Sequence, residues 1–100
     1  MKAYAIRRYN AWQSPEEAQG VAERSGAVAE SEFPADIRWI RSYVLAEDDG
    51  SLGSICIYQA SSPEAIRRHA HRVGMPADDI IEVADLLVIR PDPVEEASAS

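Results

Sequence analysis

Ser54–Val83, SICIYQASSPEAIRRHAHRVGMPADDIIEV, reads as strand, turn, helix, loop and strand, and the rest of the chain is placed against it. Ser54 to Tyr58 is a short apolar run containing two isoleucines, the composition of a buried strand. Ser62-Pro63-Glu64 then opens a helix: a hydroxyl to cap free amides, a proline suited to the first helical position, and an anion at the positive helix end. Ile66, Ala70 and Val73 form its apolar stripe. Gly74 ends it, with Pro76 two residues beyond. A second apolar run, Ile80 to Ile89, is expected to be a long final strand.

Upstream, Lys2 to Tyr9 is expected to be the first strand, with apolar groups on both faces, as in the middle of a sheet. Ser14-Pro15-Glu16-Glu17 is a capping box that starts the first helix, whose inward stripe is made of small residues such as Ala18, Ala22, Ser25 and Ala29. Ile37 to Leu45 is the second strand. Regular alternation puts Ile37, Trp39, Arg41, Tyr43 and Leu45 on one face, with Arg38, Ile40, Ser42 and Val44 on the other. The Asp49-Gly50 pair marks the turn into the third strand.

The resulting order, β-α-β-β-α-β, points to an α+β ferredoxin-like sandwich: a four-stranded antiparallel sheet with two helices on one face. Residues 1–90 form this domain, and residues 91–100, acidic and small, form a flexible tail. One sheet face is left without helices, yet the strands do not alternate cleanly toward water. The economical explanation is a second copy of the chain covering that face, giving a homodimer.

Composition narrows the function classes. A formal charge of −7, from 17 acidic against 10 basic residues, repels phosphate backbones, and Arg67, Arg68 and Arg72 lie among acidic neighbours. No nucleic-acid partner is expected. No apolar run reaches the length of a membrane span or of a signal-peptide core, so no membrane partner is expected either. The one cysteine, Cys56, excludes an internal disulfide and suits a reducing cytoplasm. No nucleophile triad spacing, phosphate-binding glycine loop or Cys-X-X-Cys is present, and no catalytic residue is assigned.

Trp39, Ser42-Tyr43-Val44, Cys56-Ile57-Tyr58, SPEAIRRHA and VGMPADDIIEV together resemble a small bacterial family of ferredoxin-like domains of unknown function, some of whose members are named nickel-binding proteins. The similarity runs from about Lys2 to Ile89 and is most specific from Trp39 to Val83. It implies a homodimer that binds a metal, Ni2+, or a small molecule, without naming the ligands, and the composition places it in the cytoplasm. Nickel favours imidazole nitrogen with carboxylate or water oxygen, so the candidates are His69 and His71, with Asp78 nearby in sequence. Two residues apart on a helix, the histidines point to different sides and cannot grip one ion together. The plainer readings make His71 a solvated surface residue, His69 a border residue of the apolar stripe, and Cys56 a small buried group. The alternative function is a small-ligand binder or cofactor-independent enzyme with its pocket on the open sheet face at the dimer interface. Trp39, Arg41, Tyr43, Tyr58 and Glu82 would line that pocket.

Overall fold

The computed structural model describes residues 1–93. Six elements follow in the expected order: β1 (Lys2–Trp12), α1 (Pro15–Glu32), β2 (Ile37–Ala46), β3 (Leu52–Ala60), α2 (Pro63–Val73) and β4 (Asp79–Glu82). Both helices start as their sequences dictate. Ser14 Oγ accepts the Glu17 amide and Ser62 Oγ accepts the Ala65 amide, each at 3.1 Å, and a proline begins each helix. α2 closes on Gly74, whose φ of 86° is the left-handed geometry that costs glycine little; its amide donates to the Ala70 carbonyl.

The strands order as β2-β3-β1-β4 and every neighbouring pair is antiparallel. Residues directly opposite one another share a face, so the ladder fixes which side chains point where. Tyr4, Ile6 and Arg8 of β1 lie opposite Tyr58, Cys56 and Ser54 of β3. These face the helices, and their apolar members join Ala29 of α1 and Ala65 and Ile66 of α2 in one buried cluster. Both helices therefore cover the same face, and the fold is the ferredoxin-like α+β sandwich.

The other phase forms the open face: Ala3, Ala5 and Arg7 of β1, Ile55, Ile57 and Gln59 of β3, and Asp79 and Ile81 of β4. On β2 the expected alternation fails. Trp39 pairs with Tyr58 and Arg41 with Ile57, which leaves Ile40 as an extra, unpaired residue. This bulge turns Trp39 to the helix side, together with Ser42 and Val44, while Arg41, Tyr43 and Leu45 stay on the open face. Trp39 and Tyr43 thus lie on opposite faces. A second irregularity in β1, between Arg8 and Trp12, contains Asn10 with φ of 47° and brings Trp12 back opposite Leu52, buried on the helix side.

β4 is much shorter than the apolar run suggested. It pairs with Tyr4–Arg7, and its last bond joins the Val83 amide to the Ala3 carbonyl. β1 begins at Lys2, so the residues after Val83 have no partner strand to continue along. Leu86, Leu87, Val88 and Ile89 are irregular and 66–84 % exposed. The chain then reaches Asp92, which accepts from Arg41 and Tyr43 on β2, at the far edge of the sheet. Of the tail expected to be flexible, residues 91–93 are described, and 94–100 lie outside the described residues.

The open face also explains Gly53. Arg7 reaches past it so that Nη2 meets both carboxylate oxygens of Glu47 at 3.1 Å and Nη1 donates to the Arg8 and Ser54 carbonyls at 2.6 and 3.2 Å. A Cβ at position 53 would run into the Glu47 carboxylate, the Arg8 carbonyl and the Arg7 guanidinium. Gly53→Ala is therefore expected to destabilise the domain by about 1–3 kcal/mol, as overpacking does, measured by urea denaturation.

His69 is 0 % exposed, between Phe33 and Tyr58 with ring centroids at 5.7 and 5.8 Å. Nε2 lies 3.0 Å from the Ser25 carbonyl and must donate to it, while Nδ1 has no partner. Burial, helped by the charge of Arg8, holds this imidazole below its ordinary pKa, and the bond to Ser25 opposes that only in part. The unfolded chain then takes up a proton as the pH falls below about 6.5 while the folded chain resists, so stability drops with pH in that window. The wild-type melting temperature is expected to fall further between pH 7.5 and 5.5 than that of His69→Gln, which keeps a donor but does not titrate.

Candidate functional site

The helix-facing phase of β1 ends on a charge. Arg8 is 1 % exposed, opposite Ser54, with its guanidinium carbon 6.0 Å from the Tyr58 ring centroid. Nε and Nη2 are buried without a hydrogen-bond partner. The ion pairs among the described residues involve Lys2, Arg7, Arg41, Arg67 and Arg72, and none reaches Arg8. Every one of its N–H groups is a donor.

The surrounding polar atoms run toward it as a chain. Trp39 Nε1 donates to Ser42 Oγ at 2.7 Å, Ser42 Oγ to Cys56 Sγ at 3.0 Å, and Cys56 Sγ to Ser54 Oγ at 3.6 Å. Ser54 Oγ, as the last acceptor, keeps its own hydrogen to offer beside the guanidinium. These groups lie along a cavity of about 50 Å3 between the sheet and α1, walled by Trp12, Val21, Ala22, Trp39 and Met75. The small side chains of α1 let it approach the sheet while leaving this space. Burial pushes the Tyr58 phenol above its ordinary pKa against the nearby charge of Arg8, so it stays a neutral hydroxyl, 3.5 Å from Ser25 Oγ. The lining holds no carboxylate and no imidazole. The arrangement is therefore made to receive negative charge.

The sequence-derived ligand group is divided by the fold. Trp39 and Tyr58 line the cavity on the helix side. Arg41 and Tyr43 are on the open face and bind Asp92, and Glu82 is at the β4 edge, 3.4 Å from Lys2 Nζ. The cavity thus lies on the face opposite the one the sequence reading favoured, because the Ile40 bulge reverses Trp39. Arg8 escaped that reading, although the step of two from Tyr4 through Ile6 already carries it to the buried face.

The metal candidates are likewise apart. His69 is sealed in the core with Nε2 committed to Ser25. His71 is exposed on the outer side of α2. Asp78 is exposed and its Oδ2 accepts the Tyr9 amide at 2.8 Å, while Asp79 accepts the Tyr9 hydroxyl. Among the described residues, no group of three His, Cys, Asp or Glu side chains is placed to hold a metal ion. No described helix is long and apolar enough to cross a membrane.

Comparison with known proteins bears on both fold and family. The crystal structure of SCO4226 from Streptomyces coelicolor A3(2) superposes with a TM-score of 0.67, covering 85 % of this chain and 99 % of that one at 21 % identity. At that identity the likeness speaks for the fold. No curated protein matches the chain. The family model described as nickel responsive protein SCO4226-like matches residues 4–83, the span from the buried face of β1 through β4. The chain belongs to this SCO4226-like family of nickel responsive proteins.

Proposed function

We propose that the chain is a divalent-metal-binding protein that responds to nickel as a homodimer in the cytoplasm. Family membership supports the nickel part. The observation that carries the dimer is the open sheet face: Ala3, Ala5, Leu45, Ile55, Ile57 and Ile81 make an apolar surface with no helix over it. Leu86 to Ile89 add a second unpartnered apolar stretch, anchored on the same side by Asp92. Closing both against a second copy would remove apolar area from water at about 25 cal/mol per Å2. Cys56, unpaired and buried, suits the reducing compartment.

The described residues of one chain do not form a nickel site. Nickel needs several nitrogen and oxygen donors together, and the described residues assemble no such set. In this reading His71, the exposed imidazole on the outer side of α2, is the protein-derived nitrogen donor of a surface site away from the open-face interface, with water completing the coordination.

Ile57→Asp and Ile81→Asp place a charge on the open face without entering the helix-side core. Each is expected to give a folded monomer by sedimentation and circular dichroism. An intact dimer in both variants would move the interface elsewhere. Nickel uptake by equilibrium dialysis is expected to weaken at least tenfold in His71→Ala. Uptake unchanged in that variant, and weakened instead by salt, would mark the ion as a loose counterion of an acidic surface.

A further inference from the structure

We infer that the cavity between the sheet and α1 is a binding site for a small organic carboxylate, its charged end held by Arg8 and Ser54 and its short apolar body by Trp12, Val21, Trp39 and Met75. The site stands apart from the proposed metal function and shares none of its residues.

Three observations converge on an anion. The first is the guanidinium: a fully ionised group, 1 % exposed, with Nε and Nη2 unpartnered. Buried charges are retained when something compensates them, and the chain, despite 17 acidic residues, brings no described carboxylate to this one. The second is the direction of the hydrogen bonds. Trp39, Ser42 and Cys56 hand donors along to Ser54, whose own hydrogen is left to offer beside the guanidinium, and the acceptor that neighbours Arg8 is the neutral Tyr58 hydroxyl rather than an anion. Ser54 sits directly opposite Arg8 on the sheet, so both address one point. A planar carboxylate meets such a fork with two oxygens.

The third is the shape and lining of the space. About 50 Å3 is room for about three to five non-hydrogen atoms, given that a single water needs 10–15 Å3 on this measure. That is the size of acetate or propionate. Beyond the polar floor the walls are indole, aliphatic and thioether groups, which suit a methyl or ethyl tail and do not solvate a phosphate or sulfate. A monocarboxylate with a short hydrocarbon end satisfies both halves of the cavity.

Both tryptophans of the chain line this cavity, so intrinsic fluorescence reads its occupancy directly. The full chain, in buffer of constant ionic strength with a metal chelator, is titrated with acetate, propionate, butyrate, benzoate, propionamide and sodium chloride. Acetate or propionate is expected to change the fluorescence saturably and to raise the melting temperature. Propionamide and chloride are expected to do neither, and benzoate is expected to bind at least tenfold more weakly than propionate. Arg8→Met is expected to abolish the response while melting no lower than the wild type without ligand, because it removes an uncompensated charge. Ala22→Phe, which fills the space and leaves Arg8 in place, is expected to abolish it too, and it serves if Arg8→Met does not fold. Absence of a saturable response to every carboxylate would overturn the assignment. So would an equal response to propionamide, or an undiminished response in either folded variant. The chelator keeps the outcome separate from nickel binding: a positive result here stands whether or not the protein takes up metal.

Discussion

Ile40 is one residue more than the ladder between β2 and β3 can pair, and that surplus decides what each face of the sheet is made of. A strand has a strict period of two, so one extra residue reverses every side chain beyond it. Without the bulge, Trp39 would share the open face with Arg41 and Tyr43. With it, the indole comes to the helix side, where Nε1 bonds Ser42 and the ring lies against Gly26 of α1. The polar chain toward Arg8 begins at that indole, and the removal of so large a ring leaves the open face flatter and more aliphatic. Both the cavity and the bare surface are consequences of one inserted residue.

The helices were legible in the sequence because their signals are local. Serine, proline and glutamate at each start, and Gly74 at the end of α2, act within one turn and owe nothing to the rest of the fold. The order of elements followed from those signals, and the family resemblance extended over the same span. What failed to show were facts about partners. The apolar run from Ile80 to Ile89 reads as one strand, but a strand lasts only as long as its pairing, and the pairing with β1 ends at the Val83–Ala3 bond. Regular alternation gave no reason to break β2 at Ile40. Arg8 shares the period of Tyr4 and Ile6, but that period alone does not say that a helix will cover an arginine.

The core carries an unusual electrostatic burden for its size. A neutral histidine with an orphaned Nδ1 and a charged arginine both lie on the helix side, with Tyr58 between them, and the charge of Arg8 adds to the burial that holds His69 neutral. In a medium of low polarisability an unsatisfied polar group costs more than it would beside water. Around them the packing is otherwise ordinary, with isoleucines and alanines that contain no polar atoms in their side chains. The polar content of the interior is thus gathered into one region along β1, β3 and α1, where a ligand could relieve it, and is absent beneath α2 apart from His69.

The segment after β4 is held at its ends and free in its middle. Val83 is hydrogen-bonded to Ala3 at one edge of the sheet and Asp92 is fastened to Arg41 and Tyr43 at the other, while the aliphatic residues between stand in solvent. A protease needs an extended, accessible stretch of backbone, and residues 84–91 supply one with exposed aliphatic side chains. Cleavage there would sever no strand pairing and no helix, so the nicked domain would keep its fold while losing the span between its two anchors. How fast that stretch is cut, compared between dilute and concentrated protein, reports whether anything lies over it.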